Sequence, residues 1–222
     1  MKFINRLGVR YPKLLGYLLL EYPLRNISNL NRRNRNSNYI IPKVIYQTWV
    51  NNKLGKSHHA DWMQFQQRNP TYDFIFFDDD RRDKYMETNW CDHPIFKIYK
   101  DSCFGPLATD IFRYCLIYDK GGIYVDINKA ISEPIDNLID VETNYFFSYE
   151  IDLHSKCPDS QLMAHLKNPH NFILNWAFGF SQKHPILLSV INKIVRNEKL
   201  FRGIEFPKPS QAIVKYTGPA IF

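Results

Sequence analysis

Residues 108–128 read ATDIFRYCLIYDKGGIYVDIN, and their pattern changes from that of a helix to that of a strand. Over 107–118 the apolar residues recur at intervals of three and four, which predicts a helix with one buried face. Gly121 and Gly122 then end the helix, because glycine accepts the left-handed conformation that a helix C-terminus often needs. A short β-prone run, 123–125, follows directly. The stretch therefore predicts a helix, a tight turn and a buried strand in immediate succession.

Two pairs of polar side chains lie in this stretch. Asp110 and Arg113 are three residues apart on the predicted helix, so they form either a functional pair or an ordinary surface ion pair. Asp126 and Asn128 follow the strand, and their side chains share one side of the chain if the backbone stays extended. A carboxylate and an amide carbonyl suit Mg²⁺ or Mn²⁺, which take oxygen ligands and leave positions for substrate phosphates. These residues predict a metal and diphosphate site, with Asp126 and Asn128 as metal ligands.

Predicted strands and helices alternate along the rest of the chain. Apolar, β-prone runs predict strands at 43–49, 72–77, 123–125 and 145–149, and helical patterns cover about 57–68, 107–118 and 185–195. This order predicts an α/β fold with a mostly parallel sheet. Because ligands bind beyond the carboxyl ends of such strands, Trp49, Asp78 and Asp126 would lie at the ligand-binding edge. Asp78 also suits the N-cap of the helix that follows it.

Four ordered blocks of sequence resemble one known family. They are IPKVIYQTW at 41–49, the stretch 108–128, Asn175 with the later His184-Pro185, and Thr217-Gly218-Pro219. In this order they resemble the DXD-containing sugar transferases of glycosyltransferase family 32. That family includes the yeast initiating α-1,6-mannosyltransferases, α-1,4-galactosyl- and N-acetylglucosaminyltransferases, and bacterial capsule and lipopolysaccharide enzymes. The resemblance covers about residues 40–222.

The resemblance implies a fold and a reaction. The fold is the GT-A nucleotide-diphospho-sugar transferase fold, with a mostly parallel mixed sheet flanked by helices. The reaction moves a hexose from a UDP- or GDP-linked sugar to a glycan or glycolipid acceptor, with Mn²⁺ or Mg²⁺ and with retention of the α configuration. By resemblance, Asp110 accepts a sugar hydroxyl, Arg113 donates to sugar or phosphate, and Asp126 binds the metal and the nucleotide.

The resemblance also supplies candidate substrate-binding residues. Trp49 matches the base-stacking tryptophan of the glucosylating clostridial toxins, which resemble distant relatives of the family, and this implies stacking on uracil or guanine. The other candidates are Asp78, Tyr124, Asn175 and His184. Tyr124 lies either in the core or beside the nucleotide, and His184 has the alternative of capping the helix that follows it.

The chain departs from the family pattern in three places. Tyr46 stands where a histidine is common. Asn128 stands where the family usually has a second aspartate, and an amide coordinates a metal ion without neutralising its charge. The chain ends three residues after Pro219, whereas family members usually continue, so we expect a shortened C-terminus on the catalytic domain, residues 39–222. Two other functions stay open: a degenerate protein that binds a nucleotide sugar without turnover, and a hydrolase of nucleotide sugars.

The basic charge of the chain is concentrated at its N-terminus. Residues 1–38 hold eight basic residues and one acid, Glu21, and so account for the whole formal net charge of +7. Their apolar patch, 14–20, is shorter than the ~20 residues that span a membrane, and no signal-peptide cleavage site follows it. We expect a basic extension that either lies on an anionic membrane surface or is a tail with one helix docked on the domain.

Composition limits the remaining possibilities. With 222 residues and 45% hydrophobic content, one sizeable domain is expected. Nucleic acid is not an expected partner, because residues 39–222 carry no net charge and no recognisable nucleic-acid module. The four cysteines lack CxxC spacing, so zinc is not expected, and Cys115 falls on the apolar helix face. A reduced core cysteine favours a reducing compartment, so we expect a cytoplasmic protein, either free or peripheral at a membrane through residues 1–38. The Golgi lumen is less expected without a signal anchor.

Overall fold

The computed structural model of this chain describes residues 21–32, 38–129, 131–149 and 173–222. The strands in these ranges are β1 (Arg25–Asn26), β2 (Val44–Thr48), β3 (Lys53–Leu54), β4 (Asp73–Phe77), β5 (Gly122–Val125), β6 (Tyr145–Tyr149) and β7 (Ile173–Phe180). The α-helices are α1 (Lys56–Arg68), α2 (Asp79–Trp90), α3 (Pro94–Lys100), α4 (Gly105–Lys120), α5 (Pro185–Asn197) and α6 (Pro209–Tyr216).

A five-stranded mixed sheet forms the centre of the described structure, in the order β4-β2-β5-β7-β6. Strand β2 pairs in parallel with β4 and with β5, whereas β7 pairs antiparallel with both β5 and β6. Four of the five strands therefore run in the same direction, which confirms the predicted α/β class with a mostly parallel sheet. The antiparallel strand β7 was not predicted, because its sequence ILNWAFGF mixes polar, aromatic and glycine residues without strict alternation.

Helices cover both faces of this sheet. On one face α4 lies in the larger apolar cluster, with buried side chains that include Ile111, Phe112 and Cys115. Neighbouring residues of β2 point to opposite faces, since Tyr46 belongs to this cluster and Ile45 belongs to a second cluster on the other face. A sheet that is buried on both faces is typical of α/β folds. Cys115 is fully buried, as its position on the apolar helix face predicted.

The turn between α4 and β5 requires two glycines. Gly121 has φ 64° and Gly122 has φ 101°, a region that favours glycine. A Cβ atom on Gly122 would also lie 2.9 Å from the carbonyl oxygen of Val44. The turn thus brings the start of β5 against β2, so that the predicted succession of helix, turn and strand is confirmed.

The carboxyl ends of three parallel strands meet at one edge of the sheet. Trp49 follows β2, Asp78 follows β4 and Asp126 follows β5. Because β2 pairs in parallel with both neighbours, these residues lie at the same edge, as predicted.

Part of the basic N-terminal extension packs on the domain. Strand β1 pairs antiparallel with β3, Ile27 is buried, and Leu30 forms an isolated bridge with Phe74 of β4. The apolar patch at 14–20 lies outside the described residues, so contact between residues 1–38 and a membrane surface stays a prediction. Among the residues that the structure describes, no helix has the length and apolar character needed to cross a membrane.

Candidate active site

Asp110 and Arg113 form a buried pair in the middle of α4. Each residue is 5% exposed, and Nη2 of Arg113 lies 3.4 Å from Oδ1 of Asp110. This burial excludes the alternative of an ordinary surface ion pair. Charged residues are rarely this buried without a structural or functional partner set, so their other contacts define the site.

Arg113 connects the helix to the end of β5. Its Nη2 atom lies 3.2 Å from Oδ1 of Asp126, and its guanidinium carbon lies 4.5 Å from the centroid of the Tyr124 ring. The Tyr124 hydroxyl donates to the same Asp126 oxygen at 2.9 Å. One guanidinium group therefore contacts two carboxylates, and it also lies over the face of the Tyr124 ring.

Two segments that are distant in sequence complete the cluster. The side-chain amide of Asn175 donates to Oδ1 of Asp110 at 3.1 Å, and the carbonyl oxygen of Asn175 accepts from Nη1 of Arg113 at 2.5 Å. The hydroxyl of Thr217 donates to Oδ2 of Asp110 at 2.9 Å. The Tyr114 hydroxyl in turn donates to the carbonyl oxygen of Thr217 at 2.7 Å. These bonds fix the position of Asp110 from three directions.

The charges in the cluster differ in their exposure. Burial raises the pKa of Asp110 to about 6, although Arg113 and the Thr217 hydroxyl oppose this rise. Burial works against the charge of Arg113, but Tyr124, Asp126 and Asp110 together hold its pKa above the usual range, so it stays a cation. The Asp126 side chain keeps 28% of its surface exposed. The solvent-facing side of the cluster is therefore at Asp126, with a permanent positive charge behind it.

The donor set at Asp126 fits a divalent metal ion that is shared with a substrate. Oδ1 of Asp126 is engaged by Arg113 and Tyr124, whereas Oδ2 has no hydrogen bond among the described residues. No group of three or more His, Cys, Asp or Glu side chains suited to a metal occurs in the described part of the chain. Mg²⁺ typically binds through one or two carboxylates and takes its other ligands from water and substrate phosphates. Asp126 can serve as such a carboxylate, because its free oxygen belongs to a partly exposed side chain.

The backbone at Asn128 differs from the prediction. The chain does not stay extended after Val125 but turns at Ile127 and Asn128, and the N–H of Lys129 donates to the carbonyl oxygen of Asp126 at 2.9 Å. The pairing of β5 with β7 ends at Val125, so the backbone beyond Asp126 satisfies its polar groups within a turn. The premise that Asp126 and Asn128 share one side of a strand was therefore wrong. Asn128 is exposed, and its contact with a metal ion stays a prediction.

Trp49 lies beside the turn that carries Asn128. Its ring packs against an apolar cluster that contains Ile127 and Trp62, and the centroid of the ring lies 6.1 Å from that of His58 in an edge-on arrangement. Trp49 is only partly buried, so one part of the ring stays open to solvent. Trp49 is therefore a partly exposed aromatic residue at the same edge of the sheet as Asp126.

Two other candidates have structural roles in the fold. Asp78 is the N-cap of α2 and accepts from the N–H of Arg81 at 2.9 Å, which is the alternative that the sequence left open. Tyr124 is fully buried, so its ring belongs to the core and its hydroxyl positions Asp126.

His184 lies apart from the cluster. It caps α5, where its Nδ1 accepts from the N–H of Ile186 at 3.3 Å, and burial lowers its pKa. Strand β7 runs antiparallel to β5, so Phe180, four residues before His184, pairs with Gly122 at the end of β5 that is remote from Asp126. The structure therefore does not bring His184 to the site, because the chain has crossed to the opposite edge of the sheet.

Thr217 was not among the candidate residues, although it lies in the last of the four family blocks. A single hydroxyl in a loop has no periodicity that could reveal it. The requirement for glycine at the next position is visible only in three dimensions, since a Cβ on Gly218 would lie 2.8 Å from the Cα of Val214. The close approach of this segment to α6 places the Thr217 hydroxyl against Asp110.

Comparisons with known proteins confirm the resemblance. Residues 45–145 match the family model described as a glycosyltransferase sugar-binding region containing a DXD motif. Inositol phosphoceramide mannosyltransferase 3 of Schizosaccharomyces pombe is 26% identical over 94% of this chain and 51% of its own length. The initiation-specific alpha-1,6-mannosyltransferase of Candida albicans is 26% identical over 82% of this chain and 51% of its own length. The chain thus spans about half the length of these curated relatives.

A solved structure has the same fold. The PaToxG glycosyltransferase aligns with 98% of this chain and with 75% of its own chain, at a TM-score of 0.58 and 14% sequence identity. This likeness concerns the fold, and it confirms the GT-A-like arrangement of a mixed sheet flanked by helices.

Proposed function

We propose that this chain, a relative of the DXD-containing glycosyltransferases, transfers one hexose from a nucleotide-diphosphate sugar to a hydroxyl group of a glycan or glycolipid. The observation that carries the proposal is the buried Arg113, which lies between Asp110 and Asp126 at the carboxyl edge of the sheet. All three residues fall within the matched region 45–145. Because the curated relatives are named as mannosyltransferases, mannose is the first sugar to test.

The diphosphate is expected to bind on the exposed side of Asp126. Asp126 Oδ2 and the Asn128 amide carbonyl would hold Mn²⁺ or Mg²⁺, and such an ion supplies charge neutralisation for the departing diphosphate. Arg113 adds a fixed positive charge directly behind Asp126, and its planar fork of N–H groups suits phosphate and hydroxyl oxygens. A water-excluded cation of this kind acts more strongly than the same charge in bulk water.

The sugar is expected to lie against Asp110 and Asn175. Both oxygens of Asp110 already accept hydrogen bonds, but a carboxylate offers about four lone-pair sites and can accept one more from a sugar hydroxyl. The partly exposed ring of Trp49 would stack on the uracil or guanine base. Asp78 caps α2 at the same edge of the sheet, and its contact with the nucleotide stays a prediction.

The chemistry rests on stabilisation of the leaving group. The bond from the anomeric carbon to the diphosphate oxygen breaks, the acceptor oxygen forms its bond to that carbon, and the acceptor proton passes to the released diphosphate or to solvent. We infer retention of the α configuration from the family resemblance. A pair of acid and nucleophile carboxylates, as in glycosidases, is not required for this reaction.

A donor panel tests the proposed function. The full chain is incubated with UDP- and GDP-linked hexoses, including the mannose form, with Mn²⁺, Mg²⁺ or a chelator, and released nucleotide is measured with and without acceptor. We expect release from at least one donor that depends on the metal and rises with acceptor. Binding without release from any donor would contradict transfer and favour a nucleotide-sugar-binding protein. Release that no acceptor increases would favour a hydrolase.

The binding-only alternative is supported by one residue, Asn128. A neutral amide neutralises less metal charge than the family's aspartate does, so the chain could bind a donor without turning it over. Asn128→Asp is therefore expected to tighten Mn²⁺ binding and to raise turnover. If both properties stay unchanged, the metal ion does not bind at Asn128.

A further inference from the structure

The first turn of α1 lies beside the partly exposed ring of Trp49. The centroid of the His58 ring lies 6.1 Å from the centroid of the Trp49 ring, and the two ring planes are inclined by 64°. His58 is itself partly exposed. A molecule that covers the solvent-facing part of the Trp49 ring would therefore also come within reach of His58.

The ring nitrogens of His58 are not used by the fold. Among the described residues, His58 makes no hydrogen bond and no ion pair, whereas His93 and His184 each cap a helix through Nδ1. A neutral imidazole offers one N–H donor and one acceptor nitrogen. His58 is thus a polar side chain that is available to a ligand beside an aromatic surface.

An aromatic surface with a polar group at its side suits a nucleotide base. Proteins bind unpaired bases by stacking an aromatic side chain on the base and by hydrogen bonds to the base edge. A base stacked on Trp49 would lie parallel to the indole ring, so it would present its edge to the inclined ring of His58. Trp49 therefore suits the face of a base, and His58 suits its edge.

A carboxylate from the N-terminal extension holds the start of α1. The N-cap residue, Gly55, has no side chain that could accept from the helix, and Glu21 takes this role. The backbone N–H of Ser57 donates to Oε2 of Glu21 at 3.2 Å, and the Ser57 hydroxyl donates to Oε1 at 2.6 Å. A Cβ atom on Gly55 would overlap the Glu21 carboxylate, so glycine leaves room for this contact. Because Ser57 directly precedes His58, Glu21 also fixes the position of His58.

The same extension contributes to the apolar cluster that contacts Trp49. Ile27 is 4% exposed and belongs to that cluster together with Trp62 and Ile127. The N–H of Ile27 donates to the carbonyl oxygen of Asn52 at 2.9 Å. Residues 21–32 precede the region 45–145 that matches the family model. This chain therefore supports Trp49 and His58 with a segment that the matched region does not include.

We propose that His58 hydrogen-bonds to the edge of the nucleotide base that stacks on Trp49, and that Glu21 is the positioning residue for His58. The inference rests on the proposed function, because it assumes a nucleotide ligand, and it adds a specificity-determining residue to the base site. Uracil and guanine present different donors and acceptors at their edges. The bond to His58 therefore contributes to the choice between UDP- and GDP-linked donors.

The test measures the dissociation constants of UDP, GDP and inorganic pyrophosphate for the full chain, each with Mn²⁺. His58→Phe keeps an aromatic ring and removes both nitrogens. His59→Phe is the matched control, because the His59 ring lies beside Trp62 instead, with 5.6 Å between ring centroids.

The expected loss is that of one hydrogen bond to the base. His58→Phe should raise the dissociation constant of the tighter-binding nucleotide by about threefold to tenfold, and His59→Phe should change it by less than about twofold. The ratio of the UDP and GDP dissociation constants should move towards one in His58→Phe. Pyrophosphate has no base, so its binding should stay unchanged in both variants.

A second variant tests the positioning role of Glu21. Glu21→Ala removes both hydrogen bonds to Ser57, and it should raise the dissociation constant of the same nucleotide by about twofold to fivefold. In a chain that already carries His58→Phe, Glu21→Ala should cause no further loss, because Glu21 acts through His58. Losses that multiply in the double variant would contradict this positioning role.

The outcomes distinguish this inference from the proposed function. Equal effects of His58→Phe and His59→Phe, or an equal loss for pyrophosphate, would overturn the role of His58 even if the donor panel shows transfer. A loss confined to His58→Phe and to the nucleotides would support that role even if no sugar is transferred, because the assay contains no sugar. Binding of neither nucleotide by the unaltered chain would overturn both the inference and the proposed function.

Discussion

At the scale of single residues, the central feature is a cation held between two carboxylates of different exposure. Asp110 is buried and has hydrogen bonds to both oxygens, whereas Asp126 keeps one oxygen without a partner in the described structure. Arg113 lies between them. This asymmetry supports our proposal that Asp110 contacts the sugar and that Asp126 binds the metal and the diphosphate.

Thr217 should stabilise the fold through its bond to Asp110. Thr217→Val removes a fully buried donor and leaves one Asp110 oxygen without its partner, so the free energy of unfolding is expected to fall by about 1–3 kcal/mol. The matched control is Thr71→Val, which removes a hydroxyl that donates to Asp136 in an exposed setting. Urea unfolding measures both. Equal losses in the two variants would show that burial of the Thr217 bond has no special effect.

The sequence was most informative about charged residues on an apolar helix or at the end of a buried strand, because few structural roles explain a charged residue at such positions. Asp110 and Arg113 were selected as a polar pair three residues apart on a predicted helix, and Asp126 because it follows a predicted strand; the family resemblance then implied their roles. Thr217 was missed because no local pattern brings it to Asp110. For His184 the alternative of capping α5 is confirmed, and the edge of the sheet that it reaches could not be read from a local pattern. The turn at Asn128 depends on where pairing with β7 ends, which no local pattern shows.

At the scale of elements, α4, the glycine turn and β5 position the site. The spacing of their apolar residues and the two glycines of the turn are local features of the sequence, so the sequence predicted all three. Strand β7 was missed, because its antiparallel pairing in the middle of a mostly parallel sheet is a tertiary property. Yet β7 brings Asn175 to Asp110, so the site depends on an element that the sequence pattern did not reveal.

The turn between α4 and β5 requires glycine at position 122, and this requirement can be tested by substitution. Gly122→Ala places a Cβ at φ 101° and 2.9 Å from a carbonyl oxygen, so it should lower the free energy of unfolding by more than about 1 kcal/mol. Gly105→Ala is the control, because a Cβ on Gly105 meets nothing within 4 Å. That variant should be neutral or slightly stabilising, since alanine favours helix. Similar melting temperatures for the two variants would contradict the requirement for glycine at position 122.

At the scale of the whole molecule, the described structure has a five-stranded sheet with helices on both faces and a separate two-stranded sheet, and the site lies at the edge where the parallel strands end. The fold class could be predicted because strands and helices alternate along the chain. The contacts of Asn175 and Thr217 with Asp110 could not be predicted, because they depend on the position of β7 in the sheet and on the segment after α6.

Ligand binding should stabilise the whole domain. A nucleotide sugar with Mn²⁺ binds only the folded state, so at about 100 times its dissociation constant it should add roughly 2.7 kcal/mol to the free energy of unfolding. Thermal melting with a panel of UDP- and GDP-sugars measures this gain, and a chelator should remove most of it. A gain that is the same with the chelator would contradict metal-assisted binding at Asp126.

The most direct test of the account compares two buried arginines. Arg113→Lys keeps a positive charge but loses the fork that contacts both carboxylates, whereas Arg82→Lys makes the same change in a carboxylate-paired arginine on α2. The measurement is kcat/KM for the best donor in the panel, with folding verified by thermal melting. We predict that Arg113→Lys lowers kcat/KM by roughly 100-fold and that Arg82→Lys changes it by less than about threefold. Equal activity in the two variants, or full activity in Arg113→Lys, would contradict a catalytic role for the cluster.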